Sequence, residues 1–280
     1  MNQLAEPALS AEPVVPAYRA GQRVTLIRVM HSEWTKLWSL PSTLWLLLIT
    51  FALVAGGGLL AAVLQLSSLP HGAAAVAAFD PTQLSLTGVG LAELTAGALG
   101  VLIMTGEYAT GQVRLTFTAV PRRLPVLWGK TFALAVAMLA VGTVATFGAF
   151  FIASAILAPH HLSTTVTQPG VARALFGSAL VLTGVALLGL GLGALLRNAA
   201  GAVSALFGVL YGLTIAAGFL PGNLAGDVRK WLPENASADL TRVASHQAGS
   251  FSAWTGFGLF SLYVVIALVA SAGLLRRRDA

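Results

Sequence analysis

The chain has no cysteine among its 280 residues, which excludes a disulfide scaffold and any thiolate-ligated zinc or iron–sulfur site. Charge is almost as scarce. Asp, Glu, Lys and Arg make up 9% of the sequence, against roughly 25% in an ordinary soluble domain, so most of the chain has no means of facing water. Histidine contributes five residues and no HExxH pattern. His160 and His161 are adjacent and diverge on any regular element, while His31, His71 and His246 stand alone, so no metal site is expected. No GxSxG elbow is present either, which removes the common serine-hydrolase arrangement. What remains is apolar: 56% hydrophobic residues, 30 glycines and a mean hydropathy of +0.82. These values describe an integral membrane protein whose helices approach closely through small residues.

A bilayer core needs about 20 apolar residues as helix. Six segments qualify: Leu44 to Leu66, Leu84 to Thr105, Val126 to Ala158, Val171 to Leu196, Ala199 to Leu220, and Trp254 to Leu275. A helical reading is required, because lone strands leave their backbone unsatisfied in lipid and the alternation of a barrel is missing. The expected fold is therefore an all-α integral membrane protein. Residues 1–23 form a Pro-rich, disordered tail, 24–43 an amphipathic interfacial helix, 44–275 the six-helix transmembrane domain, and 276–280 a short tail.

The basic residues give the orientation. Arg19, Arg23, Arg28 and Lys36 precede the first span; Arg114, Arg122 and Arg123 fall between the second and third, with Lys130 at the cytosolic edge of the third; Arg197 separates the fourth and fifth; Arg276, Arg277 and Arg278 follow the sixth. All lie on one side. The other side carries Arg173 and a mixed-charge group of Arg229, Lys230, Arg242, Asp227, Glu234 and Asp239. Positive charge marks the cytosolic side, so both termini are expected there, in a bacterial plasma membrane. The net charge of +6 is spent on span ends rather than on a basic face, and nucleic acid is not an expected partner.

Two amphipathic elements occupy the basic side. In "VTLIRVMHSEWTKLWSLP", Leu26, Ile27, Met30, Trp34, Leu37 and Trp38 share one helical stripe, and Arg28, Ser32, Thr35 and Lys36 share the other. Trp34, Lys36 and Trp38 then mark an interfacial helix at headgroup depth, and Pro41 turns the chain into the membrane. The second element is "TGEYATGQVRLTFTAVPRR", residues 105–123. From Tyr108 to Val120, Ala109, Val113, Phe117 and Val120 share one face and Thr110, Arg114 and Thr118 another, with Pro121 stopping the helix. Charge gathered here beside Glu107 suits a protein partner better than lipid, because charge-assisted contacts are directional.

The segments "SEWTKLWSLPSTLWLLL", "EYATGQVRLTFTAVPRR", "LGLGALLRNAAGAVSALFGVL" and "LLRRRDA" resemble the permease subunits of ABC-2 type ABC transporters, particularly six-span actinobacterial forms. The similarity runs from about Val24 to the C-terminus. It implies that the N-terminal helix is a connecting helix and that about residues 107–121 form a coupling helix received by a separate ATPase. Glu107, Tyr108, Gly111, Arg114, Arg122 and Arg123 carry over as coupling-region positions. It also implies a homodimer or a pairing with a related permease, a small-molecule, peptide or lipid substrate, and ATP with magnesium held in the partner ATPase. The chain's own nearest approach to a phosphate loop is "LPVLWGKT", where Gly129, Lys130 and Thr131 imitate its end. Leu124 stands where the first glycine belongs, and no strand precedes it, so no ATP site, cofactor or catalytic residue is expected in this chain.

Glu93 is the one acid placed well inside a span. Holding an ionised carboxylate near the bilayer centre costs about 2.5–3.5 kcal/mol, so a cavity, a polar partner or protonation is expected. A self-contained channel or secondary carrier centred on Glu93 is the alternative to the permease reading. Gly189 with Gly193, Gly208 with Gly212, and Gly218 with Gly222 are spaced for close helix contact. Arg173 and Arg197, which bracket the fourth span, are expected to snorkel to the interface. The long connection from Pro221 to Ser252 is expected to be a partly ordered or re-entrant cap.

Overall fold

The computed structural model describes residues 25–112 apart from 71, 73–75 and 77, together with 123–221, 224–243 and 251–277. Among these residues there is no strand, and six helices are long and apolar enough to cross a membrane. They are Pro41–Gln65, Val89–Ala109, Arg123–Leu157, Val171–Leu196, Ala199–Ala217 and Ala253–Arg277, hereafter the first to sixth spans. The third has 35 residues, about 52 Å at 1.5 Å per residue, and so exceeds a hydrocarbon core of about 30 Å.

The fourth span is the most enclosed and sits at the centre, packing against the second, third, fifth and sixth. Its glycines decide how close the second span comes. A Cβ on Gly189 would strike the carbonyl of Gly97, and one on Gly193 would lie 2.9 Å from that of Val101. From the other side, a Cβ on Gly100 would strike the carbonyl of Ala186. The two backbones therefore touch, as small residues permit in a membrane. Gly208 behaves differently: no atom lies within 4 Å of the position its Cβ would take.

The second span begins later than Leu84. Asp80 accepts from the backbone N–H groups of Thr82 and Gln83, capping a single turn over Pro81–Ser85, and the long helix starts only at Val89. Between them Gly88 lies against the first span, where a Cβ would collide with the carbonyl of Leu53. The fifth span ends at Ala217 rather than Leu220 and contains a π-helical turn, Gly208–Gly212. The sixth runs to Arg277, placing Arg276 and Arg277 in its last turn, where cations complement the helix dipole.

The N-terminal helix covers Leu26–Ser39. Its docking face differs from the apolar stripe. Val29, Glu33 and Leu37 are buried, Trp34 and Lys36 are half-buried, and Leu26, Ile27 and Trp38 remain exposed. The helix packs on the third span, where Gly129 would place a Cβ only 3.3 Å from both Val29 and Glu33. A buried acid thus belongs to the packed face, because a lysine across the contact receives it.

The segment after the second span also departs from expectation. Glu107, Tyr108 and Ala109 are the last residues of that span, not the start of a separate helix. Thr110 caps it, and Gly111 takes φ +72°, a left-handed conformation that glycine adopts without a Cβ penalty. Arg114, Arg122 and most of the expected coupling helix lie outside the described residues, as do residues 1–23, His71, His246 and Arg278. Arg123 opens the third span, and its side chain is likewise outside the description.

Candidate functional site: two polar centres at opposite ends of the second span

Glu107 ends one turn short of the Gly111 break, and the length of the second span brings its carboxylate beside Lys130 near the start of the third. Lys130 Nζ donates to Glu107 Oε1 at 2.6 Å and to Glu33 Oε2 at 2.7 Å. Lys36 Nζ donates to Glu33 Oε1 at 2.7 Å and to Glu107 Oε1 at 3.2 Å. Two acids and two lysines therefore close a neutral ring joining the N-terminal helix, the second span and the third. Lys130 has only 4% of its side chain exposed, whereas Lys36 has 38%. Burial pulls the Lys36 ammonium downward, but the bond to Glu33 and the charges of Glu33 and Glu107 outweigh it and hold its pKa above the ordinary 10.5.

The ring is a tether rather than an open contact surface. Glu107, expected as a coupling position, is buried within the protein and bonded to two lysines of the same chain. Tyr108 lies under the guanidinium of Arg197, 5.1 Å from its ring centroid. Arg197 occupies the turn between the fourth and fifth spans with φ 54°, and Asn198 beside it caps the fifth by accepting from the N–H of Gly201 at 2.9 Å. Trp34 and Trp38 meet edge to face at 5.7 Å. Every described residue expected in the coupling and interfacial elements thus sits at one end of the bundle.

Nothing in the apolar stripe marks Glu33, which was not among the expected site residues. The signal available was its i, i+3 spacing from Lys36, an arrangement common on solvated helices. Lys130 is expected at a membrane edge and is instead the most enclosed cation of the ring, because Gly129 lets the N-terminal helix close over it.

The second centre lies toward the opposite end. Tyr211, on the π-helical turn of the fifth span, donates its hydroxyl to Glu93 Oε2 at 2.8 Å. Both line a cavity of about 470 Å³ with Gln83, Ser178, Glu234 and Thr241. Glu93 therefore has the polar partner and the cavity that its cost in a span calls for. The partner is a hydroxyl, supplied by a turn whose irregular geometry no apolar count reveals.

Glu234 comes from the connection between the fifth and sixth spans, which is ordered over two short helices, Leu224–Arg229 and Pro233–Ala238. The carbonyl of Ala236 packs against Gly256, where a Cβ would not fit, Leu240 is buried against Gly177, and Tyr263 donates to the carbonyl of Trp231 at 3.1 Å. Arg173 holds the far end of this connection: its guanidinium donates to the carbonyls of Arg242 at 2.8 Å and Val243 at 3.4 Å. Its bonding is to protein backbone.

The described residues contain no group of three or more His, Asp or Glu side chains able to hold a metal ion. Compared with known proteins, the chain matches no family model, and no curated protein is significantly similar to it.

Proposed function

We propose that the chain is the membrane-spanning permease subunit of an ATP-driven exporter of the ABC-2 type, working as a dimer with a homologous permease or a second copy and energised by a separate cytosolic ATPase. One observation carries the reading. The connection across residues 110–122 leaves the second span and enters the third at the two helices that the Glu33, Lys36, Glu107 and Lys130 ring ties together. A push on that connection moves three helices as one body and, through the second span, reaches the Glu93 and Tyr211 centre. In this reading the coupling surface is made by Gly111, Arg114, Arg122 and Arg123, whereas Glu107 and Tyr108 hold it in place. Both termini and the ring face the cytosol of a bacterial cell, as the distribution of Lys and Arg supports.

The test is purification of a tagged chain from its native membranes in mild detergent. A nucleotide-hydrolysing subunit should co-purify, with vanadate-sensitive ATP hydrolysis in the eluate. Arg114→Glu with Arg122→Glu should release it while the permease stays folded. A chain that elutes free of any ATPase overturns the proposal.

A second reading, a self-contained carrier or channel, is favoured by the Glu93 and Tyr211 cavity alone. It requires that the purified chain in liposomes carry a proton or cation flux without ATP, and that Glu93→Gln abolish it.

A further inference from the structure

A cavity of about 510 Å³ opens beside the ion ring, bounded by the N-terminal helix and the first, second and third spans. It is two-faced along its length. One end holds Lys36, Glu107, Ser39 and Gln112; the other is walled by Leu46, Leu99 and Ile103. Glu107 and Leu99 are eight residues apart on one helix, so the lining passes from charge to hydrocarbon over about 12 Å. Leu40 and Leu102 at its rim are 47% and 41% exposed, which leaves the apolar end open to the surface that faces lipid. Within the ring, Glu33 and Lys130 are sealed, and the groups with surface left are Lys36 and, to a lesser degree, Glu107. The mouth therefore presents one cation and one anion side by side. Lys36 has three N–H donors, of which two go to carboxylates.

We propose that this cavity is a binding site for one zwitterionic phospholipid with a primary ammonium headgroup, its phosphate on Lys36, its ammonium at Glu107, and an acyl chain along Leu99, Ile103 and Leu46. The polar end of the second span sets the charged mouth at headgroup depth, and the leucine rim lets the remaining chain run out into the bilayer. A purely anionic lipid would satisfy Lys36 but bring no cation to Glu107. A phosphate-free diacylglycerol would add no charged contact to either, leaving Lys36 and Glu107 with their partners in the ring alone.

Gly106 offers a clean test, because it lines the cavity and no atom lies within 4 Å of where its Cβ would stand. Gly106→Leu should fill the space without displacing a helix. The full chain, purified and delipidated, is titrated with dioleoyl phosphatidylethanolamine, dioleoyl phosphatidylglycerol, dioleoylglycerol and free phosphoethanolamine, and bound lipid is counted by native mass spectrometry. Phosphatidylethanolamine should saturate one site and bind tighter than each of the other three by about tenfold or more, the worth of one charge-assisted hydrogen bond. Lys36→Met should weaken it by a similar factor, and Gly106→Leu should abolish the saturable site. Equal binding of phosphatidylglycerol or dioleoylglycerol overturns the headgroup assignment. Equal binding of free phosphoethanolamine overturns the lipid. Retention of the site in Gly106→Leu overturns the location, and this variant decides the matter even if Lys36→Met does not fold.

Discussion

Lys130→Met is the sharpest perturbation available, because it takes the cation from between two carboxylates while keeping the length and packing of the side chain. In the wild type Lys130 lies 2.6 Å from Glu107 and 2.7 Å from Glu33, with 4% of its side chain exposed. Its loss leaves two acids sharing Lys36, whose own side chain is 38% exposed and partly hydrated. Breaking one partner out of a buried ion pair costs about 3–5 kcal/mol, most of it the uncompensated charge left behind. Lys36→Met removes a half-exposed cation and leaves Lys130 bridging both acids, so its cost should stay within about 1 kcal/mol, the range of exposed pairs. The double variant Glu33→Gln with Lys130→Met restores neutrality. It should recover stability relative to Lys130→Met alone, with a coupling of about 0.5–3 kcal/mol. The assay is thermal and denaturant unfolding of the four purified proteins in one detergent, followed by tryptophan fluorescence, since Trp34 and Trp38 sit on the tethered helix. If Lys130→Met is no more damaging than Lys36→Met, or if Glu33→Gln adds to the damage instead of relieving it, the ring does not hold the helix in place.

The absence of cysteine allows a direct check of the same docking: Val29→Cys with Gly129→Cys should form a disulfide on mild oxidation, because the Gly129 Cβ position lies 3.3 Å from a Val29 methyl, and failure to cross-link in membranes would refute the packing. The pH dependence of the ring follows from Lys36, whose folded pKa is raised above 10.5: its stabilising contribution is fully present below that value and is lost as pH rises through the folded pKa. The stability difference between wild type and Lys36→Met should therefore be flat through neutral pH and shrink only in strong alkali. Gly100→Val should separate the second and fourth spans and cost at least about 1–3 kcal/mol by overpacking, whereas Gly90→Ala, with open space around it, should be tolerated; comparable melting of the two variants would contradict the contact. Tyr211→Phe removes the donor and Glu93→Leu the acceptor of the one hydrogen bond between them, so each should cost about 1–3 kcal/mol without blocking membrane insertion, and in a double-mutant cycle the two effects should be less than additive.

Which stretches become spans was legible from composition, to within a few residues at most ends, because a helix in lipid must satisfy its own backbone and needs a fixed length of apolar residues to do so. Both conditions are local in the chain. The fourth span matched at both ends, since Gly170 and Arg197 flank it with left-handed conformations that stop the helix. The polar residues that would matter were partly legible too. Glu93, Glu107 and Lys36 stand out because charge is rare, and rare charge near a span must find a partner.

The partners themselves were decided by the tertiary structure. Glu33 and Lys130 are 97 residues apart and Lys36 and Glu107 71 apart, and no local period connects them. Tyr211 reaches Glu93 across 118 residues from a π-helical turn. The buried faces were equally closed to sequence, for a physical reason. In water, the apolar side of a helix is its inner side, but lipid is as apolar as a protein core, so these spans are hydrophobic all round and their patterning does not distinguish neighbour from bilayer. Small residues carry a weak version of that information. Gly189 and Gly193 lie against the second span while Gly208 faces open space, and only the approach of one backbone to another separates the two cases.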